Sequence, residues 1–273
     1  YNEISYGNFQ IDGAAGGWYE SSLTMAQAVA NTRQYVAEIA AQADPDFDYG
    51  QYDNDGPDNI PNSGDDDGFA DGIIVVYPGC MSGDDNIWPH QSSLSSYEYV
   101  TNDVSANGGN ITISTYMVCP ELPGSSGSCV TSEICPMGVY AHEFGHVLGL
   151  PDLYDRDASD GESEGIGEWC LMASGSWMGW YGETPAHMSS WCKIQMGWIE
   201  PTVLDNSTTA IEIPKLVTSP FALKVWEDDY HWSRYFLIEN RQAVGFDSEI
   251  HGPGLIVYHI NENRGWGVNG WSF

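Results

Sequence analysis

The stretch HEFGHVLGLPD, residues 142–152, decides the fold and the chemistry expected of this chain. In an α-helix the side chains of residues i and i+4 share a face, so His142 and His146 can both reach one zinc ion. Glu143 lies beside the first histidine, where a carboxylate can take a proton from a metal-bound water. A glycine then lets the chain leave the helix, and Asp152 can return as a third ligand. Three protein ligands with an open fourth position are typical of a catalytic zinc site.

The residues around this stretch favour a metal-binding helix over a core helix that carries the motif by chance. Residues 136–148 are rich in apolar side chains, and Gly149 and Pro151 follow as helix stop signals. A match to HExxH alone is only a hypothesis until its context agrees. Here the helical pattern, the glycine exit and the later aspartate all agree, so the sequence predicts a metal site.

Several long segments resemble one known family. They are HEFGHVLGLPDLYD (142–155), GIGEWCLMASGSW (165–177), HMSSWCKIQMGWIEP (187–201), YNEISYGNFQIDG (1–13) and ENRQAVGFDSEIHGPGLIVYHI (239–260). These segments are similar to the immune inhibitor A family of secreted bacterial zinc metalloproteases, metzincin-like peptidases with the long HExxHxxGxxD motif. The resemblance covers nearly the whole chain, apart from an insertion between Asp55 and Asp67 in an acidic loop.

The resemblance implies a function: a secreted zinc-dependent endopeptidase that hydrolyses peptide bonds of extracellular proteins. It implies that Zn2+ is bound by His142, His146 and Asp152, and that Glu143 activates the water. It also implies that Met172 is the Met-turn residue, which packs beneath the zinc-binding histidines without binding the metal. A flexible thioether suits such an irregular apolar floor.

Other interpretations of the motif remain open at this point. The chain could be a non-catalytic surface or adhesion module on a metalloprotease scaffold, or a metal-dependent amidase. The intact HExxH with its third ligand argues against the non-catalytic module, since degenerate homologues usually lose the glutamate or a histidine. A donor for the transition-state oxyanion would also be needed. Tyr181 and His187 follow the Met segment, but a structural role explains each of them better.

Residues 46–71 are rich in aspartate, glycine, proline and asparagine, and they form the second chemical feature of the chain. Ca2+ prefers several oxygen ligands, which alternating aspartates on a glycine-kinked loop supply. A solvated acidic loop explains the pattern equally well, but the family resemblance favours a structural calcium site. The expected ligands are Asp53, Asp55, Asp67 and Asp71.

The charge balance excludes some partners. The chain has 39 acidic and only 8 basic residues, a formal net charge of −31. Nucleic acids and anionic membranes are poor partners for such a surface, because binding phosphates needs clustered Lys and Arg. No apolar run approaches the roughly 20 residues that span a bilayer. We therefore expect protein or peptide substrates, no nucleic acid and no transmembrane segment.

The cysteines and the chain ends suggest an extracellular, processed protein. Six cysteines suit an oxidising compartment, but they allow 15 connectivities and the sequence does not choose among them. Cys80 with Cys119 and Cys129 with Cys135 are two of the pairings considered. The chain opens with Tyr1 and not with Met, so we expect that targeting and pro-segments have been removed. Its Trp- and Gly-rich end predicts additional domains.

The order of elements is that expected of an α+β peptidase, and the family resemblance implies a metzincin-like zinc peptidase. Strands are predicted at 5–12, 72–77, 111–118, 222–226, 235–238 and 255–260, and further helices at 24–43 and 185–196. We expect a mixed twisted sheet, the active-site helix and the calcium loop in an N-terminal catalytic subdomain, residues 1–149. A less regular C-terminal subdomain, residues 150–273, should supply the third ligand and the Met-turn across a cleft.

Overall fold

The computed structural model describes residues 1–81, 87–125, 128–156, 163–204, 210–226 and 233–262. The chain forms two compact units. The acidic unit comprises residues 12–135, and the motif unit comprises residues 1–11 together with 136–273. This division differs from the boundary expected at residues 149 and 150, because the motif helix packs with the segments that follow it. The catalytic subdomain expected at 1–149 stays a prediction.

The acidic unit combines two helices with three small sheets. Its elements are α1 (Met25–Ala30), α2 (Thr32–Ala43), β1 (Ile73–Cys80), β2 (His90–Ser93), β3 (Tyr99–Val104), β4 (Asn110–Ile113), β5 (Thr115–Leu122), β6 (Gly124–Ser125) and β7 (Ser128–Cys129). A mixed sheet has the order β1-β5-β2, with β5 parallel to β1 and antiparallel to β2. Strands β3 and β4 form one antiparallel pair, and β6 and β7 another. Apolar residues of both helices pack in one core with residues of the mixed sheet and the β3–β4 pair.

The motif unit contains α3 (Met137–Val147), α4 (Ser190–Gln195), β8 (Thr202–Val203), β9 (Leu223–Trp226), β10 (Arg234–Arg241) and β11 (Gly254–Asn261). The strands form one sheet of order β11-β10-β9-β8, antiparallel except for β8 with β9. Its core gathers Met172, Met188, Trp191 and Leu237 among other buried side chains. The expectation of an α+β chain is therefore confirmed.

Several predicted elements differ from the structure for local reasons. The predicted helix at 24–43 is two helices, because Asn31 leaves the helical conformation and its side chain accepts the backbone N–H of Gln34 as an N-cap. The predicted strand at 5–12 is wrong: this segment forms turns, and the Ser5 hydroxyl accepts the backbone N–H of Phe9. The predicted helix at 185–196 begins only at Ser190, after the N-cap Ser189.

One disulfide is present among the described residues, and it joins Cys80 at the end of β1 to Cys129 of β7. Both pairings considered from the sequence are therefore wrong. The pairing of Cys80 with Cys119 rested on the ends of two predicted strands and that of Cys129 with Cys135 on closeness along the chain, whereas the bond joins residues 49 positions apart. No helix among the described residues is long and apolar enough to cross a membrane.

A buried charged network supports the motif unit from within. Arg241 on β10 is fully buried and donates hydrogen bonds to Glu239 and Asp247, both also fully buried. It donates as well to the backbone carbonyls of Trp169 and His187, at 2.6 and 3.4 Å. A buried charge is tolerated only when it is paired and hydrogen-bonded, so this network holds the segment between Trp169 and His187 against the sheet.

Lys193 provides a pH-dependent prediction within the same core. Burial, opposed by Glu239 but reinforced by Arg241, lowers the pKa of Lys193 to about 7, well below its value in an unfolded chain. The unfolded chain therefore binds one more proton than the folded chain between pH 7 and about 10, so the free energy of unfolding should rise with pH there. From pH 7 to 9, we expect the free energy of unfolding of the wild type to rise by about 2 kcal/mol relative to that of Lys193→Met, as measured by urea denaturation. A difference that does not change with pH would contradict this.

Candidate metal centre

Helix α3 presents two histidines on one face, and both point at the same carboxylate. His142 is buried and His146 partly buried. The Nε2 atom of each lies 3.1 Å from Oδ1 of Asp152. The chain turns sharply between them and the aspartate, since Gly149 has φ +88° and the N–H of Leu150 reaches back to the carbonyl of Gly145. The structure thus brings together His142, His146 and Asp152, as the motif predicts.

The hydrogen bonds of the histidines define which nitrogen faces the centre. Nδ1 of His142 lies 2.8 Å from the carbonyl of Leu171, and Nδ1 of His146 lies 2.7 Å from the carbonyl of Leu150. A carbonyl can only accept, so each Nδ1 carries the proton and each Nε2 of a neutral ring presents a lone pair. Lone pairs and a carboxylate oxygen at 3.1 Å repel one another unless a cation lies among them.

This donor set fits zinc. Two ligand atoms on a tetrahedral zinc ion lie about 3.3 Å apart, close to the separations between the histidine nitrogens and Asp152. Burial alone would raise the pKa of Asp152, but its hydrogen bonds with His142 and His146 lower it overall. Burial alone would lower the pKa of His142. The hydrogen bond to Asp152 and the charge of Glu143 outweigh burial, so the pKa of His142 is raised overall.

Glu143 and Arg156 complete the charged groups at this centre. Glu143 follows His142 on α3 and is only 7% exposed, although it carries a carboxylate. Arg156 donates a hydrogen bond of 3.0 Å to Oδ2 of Asp152, which leaves Oδ1 to face the histidines. The motif does not include Arg156. The signal that could have revealed it is its position four residues after Asp152 in a chain with only 8 basic residues.

Met172, which the resemblance implies lies beneath the histidines, packs against α3 at Gly145. It is fully buried, and a Cβ atom added at Gly145 would come within 2.3 Å of its sulfur. Gly145 lies on α3 directly before His146, so only a residue without a side chain lets the thioether reach this close. The preceding residue, Leu171, supplies the carbonyl that accepts from His142.

Gly145→Ala should therefore displace the methionine. We expect the variant to lose about 1–3 kcal/mol of unfolding free energy, because overpacking a tight core forces neighbours off their preferred conformations. Zinc affinity should fall with it. Gly252→Ala in the same unit is the control, since nothing lies within 4 Å of its added Cβ. Equal melting temperatures of Gly145→Ala and Gly252→Ala would contradict the tight contact between Gly145 and Met172.

His187 and Tyr181, the two candidates for a transition-state donor, have hydrogen-bond and packing partners outside the metal centre. His187 is fully buried, accepts a hydrogen bond from Lys193 through Nδ1 and donates one to Glu3 through Nε2. Burial and the adjacent Lys193 lower its pKa to about 4, so it stays neutral in the core. Tyr181 lies on a half-exposed loop with a positive φ of 51°, packed against Trp180. Neither residue contacts the histidines or Asp152 in any described hydrogen bond.

The acidic unit brings three of the four expected calcium ligands together: Asp53, Asp55 and Asp67. Asp53 is 1% exposed, and neither of its carboxylate oxygens has a hydrogen bond of normal geometry among the described residues. Burial, followed by repulsion from the neighbouring aspartates, raises its pKa to about 6, and the nearby backbone of Gly68 offsets this only in part. Asp71 lies outside this group and accepts the N–H of Asn54 instead.

Two imidazoles and a carboxylate around one point, beside a buried glutamate, define the site of a metal-dependent hydrolase. Residues 1–199 match the family described as immune inhibitor A peptidase M6, catalytic domain. The chain belongs to this family, and the resemblance expected from its sequence is confirmed.

Two relatives illustrate the match. The chain is 30% identical over 221 residues to the pre-pro-metalloprotease PrtV of Vibrio cholerae serotype O1, an alignment that covers 71% of the chain and 22% of that protein. It is 28% identical over 246 residues to immune inhibitor A of Bacillus thuringiensis subsp. alesti, which covers 78% of the chain and 33% of that protein. The matched region thus spans only a fifth to a third of these relatives' length.

Proposed function

We propose that this chain is the catalytic part of a secreted zinc-dependent endopeptidase with a metzincin-like fold. The observation that carries the proposal is that the Nε2 atoms of His142 and His146 each lie 3.1 Å from Oδ1 of Asp152, next to the buried Glu143. His142, His146 and Asp152 hold the zinc ion, and Met172 supports them from below. Bound zinc supplies a lowered pKa for a coordinated water and polarises the substrate carbonyl.

The residues of the chain perform the proton transfers. Glu143 accepts one proton from the attacking water, whose oxygen bonds to the carbonyl carbon of the substrate. When the carbon–nitrogen bond breaks, Glu143 returns this proton to the departing amine and is regenerated as a carboxylate. The carbonyls of Leu171 and Leu150 keep both imidazoles in the required tautomer, and Arg156 keeps Asp152 oriented.

Secretion and protein substrates are part of the same proposal. The Cys80–Cys129 disulfide supports an oxidising compartment, because disulfides persist outside the reducing cytosol. The names of both relatives, a metalloprotease and an immune inhibitor, support proteins as the substrates. The strongly acidic surface favours neither nucleic acid nor anionic membranes.

Zinc content and cleavage of casein, measured at constant calcium, test the proposal. We expect about one zinc per chain and cleavage that 1,10-phenanthroline abolishes and added zinc restores, as three protein ligands and an open position require. The non-chelating isomer 1,7-phenanthroline is the control. Zinc without cleavage of any protein would identify a non-catalytic module, and hydrolysis of small amides alone would identify an amidase. A chain without zinc would overturn the proposal.

We also propose a structural Ca2+ site at Asp53, Asp55 and Asp67, with Asp71 as a further ligand. The buried, unpartnered carboxylate of Asp53 supports it, since burying a charge without a partner is costly and a cation removes that cost. We expect millimolar Ca2+ to raise the melting temperature of wild type by several degrees, because binding to the folded state should add about 1–2 kcal/mol to the free energy of unfolding.

The melting temperature of Asp53→Asn should not respond to Ca2+. In calcium-free buffer the variant should be at least as stable as wild type, because the substitution removes a buried charge. Asp12→Asn, at an exposed aspartate of the same unit, is the matched control and should keep the response to calcium. A calcium response that survives in Asp53→Asn would place the ion elsewhere.

A further inference from the structure

Two cysteines of the motif unit lie in contact beside the metal centre. Cys170 and Cys192 are both fully buried, and their sulfur atoms are 3.8 Å apart. Cys170 directly precedes Leu171 and Met172, and Cys192 lies in the first turn of α4. The two residues thus stand where the Met172 segment meets the helix.

The surrounding hydrogen bonds hold both sulfurs in place. Sγ of Cys170 accepts the backbone N–H groups of Ser189 and Met172, at 3.3 and 3.4 Å. Ser189 also caps α4, because its hydroxyl oxygen accepts the N–H of Cys192. Two sulfurs in contact can reach bonding distance by rotations about their Cα–Cβ bonds.

We propose that Cys170 and Cys192 form a second disulfide, which ties the Met172 segment to α4. The two S–H bonds break and one S–S bond forms, and two electrons and two protons pass to the disulfide of a thiol–disulfide oxidoreductase, which becomes a dithiol. The environment that oxidises Cys80 and Cys129 supplies the same chemistry to this pair.

The electrostatics of the pair favour this reaction. Burial would raise the pKa of the Cys170 thiol, but hydrogen bonds from Cys192 and from the N–H groups of Ser189 and Met172 lower it below that of an ordinary thiol. The pKa of Cys192 is raised, chiefly by burial. The lowered pKa favours the thiolate, which is the reactive form of a cysteine, at Cys170 over Cys192.

The bond has a consequence for the metal centre, and this part rests on the proposed zinc function. The carbonyl of Leu171, next to Cys170, accepts the Nδ1 proton of His142. Fixing Cys170 to α4 fixes this carbonyl and the sulfur of Met172. Outer partners of this kind orient a metal ligand, and their loss typically costs tenfold or more in metal affinity. The disulfide is thus a positioning device and takes no part in the chemistry.

A peptide map under non-reducing conditions tests the bond itself. The protein is secreted or refolded in glutathione buffer, denatured, treated with iodoacetamide and digested. We expect a peptide pair linked through Cys170 and Cys192, which separates on reduction. Recovery of both residues as carbamidomethyl cysteine would overturn the disulfide. This result does not depend on any activity, so it stands even if no protein substrate is cleaved.

The positioning role is tested by zinc affinity in two matched double variants. Cys170→Ser with Cys192→Ser should raise the zinc dissociation constant about tenfold and lower the melting temperature by about 5–10 °C. Cys80→Ser with Cys129→Ser removes the disulfide of the acidic unit and should leave zinc affinity within about twofold of wild type. Equal zinc affinities in the two variants would overturn the positioning role.

Two further outcomes separate this inference from the proposed function. If wild type carries the linked peptide but binds no zinc, the proposed function fails and the disulfide stands. If the protein binds zinc and cleaves casein, but its peptide map recovers both cysteines as carbamidomethyl cysteine, the proposed disulfide is wrong and the proposed function stands. Should the serine variant not fold, Cys170→Ala with Cys192→Ala replaces it, because alanine adds no polar group to this buried site.

Discussion

Glu143→Gln is expected to slow peptide cleavage about a thousandfold while the protein keeps its zinc. Glutamine has nearly the same shape as glutamate but cannot accept the proton of the attacking water. The three residues proposed as zinc ligands are unchanged, so the metal should remain bound. The measurement is kcat/KM on an internally quenched peptide, together with zinc content by mass spectrometry.

The control for this variant is Glu164→Gln, which makes the same substitution at an exposed glutamate of the motif unit. It should leave both readouts unchanged. If Glu143→Gln keeps cleavage within about tenfold of wild type, another group is the base. If the variant loses its zinc, Glu143 supports the metal site and its role in proton transfer has to be tested at saturating zinc.

Arg241→Met is expected to cost about 3–5 kcal/mol of unfolding free energy, the largest stability effect foreseen for this chain. The substitution leaves Glu239 and Asp247 buried without their cation, and both are fully inaccessible to water. An unpaired buried charge is far more costly than the pair is stabilising. Urea denaturation monitored by tryptophan fluorescence measures the loss.

A compensated variant separates the charge from the packing. Combining Arg241→Met with Glu239→Gln and Asp247→Asn removes all three charges, and much of the lost stability should return. Arg33→Met, at an exposed arginine of the acidic unit, should change stability by less than about 0.5 kcal/mol. A loss below about 1 kcal/mol in Arg241→Met would contradict the network.

Local spacing carried the prediction of the metal centre. His142 and His146 meet because a helix repeats every 3.6 residues, and Asp152 returns because Gly149 adopts a positive φ that glycine tolerates. These are properties of eleven consecutive residues, so no knowledge of distant contacts was needed. The helix itself is confirmed at Met137–Val147, close to the predicted 136–148.

Predictions failed where distant residues compete with local pattern. No strand pairs with residues 5–12 in the part of the chain that the structure describes, and the start of this segment forms turns around Ser5. The pairing of Cys80 with Cys129 could not be read from spacing, because it depends on where β1 and β7 end in space.

The sequence by itself determined the motif helix, the donor types at the metal centre, the acidic character of the chain and its family. These follow from residue identity and from spacings shorter than about four helical turns, which a backbone of known geometry converts directly into positions. Only the tertiary structure decided that the carbonyl of Leu171 orients His142 and that His187 is a neutral core residue. It also decided that Cys170 meets Cys192 and that Arg241 pairs with two buried carboxylates. Each of these contacts joins segments far apart in the chain or depends on complete burial. Long-range contact and complete burial arise only when the core packs.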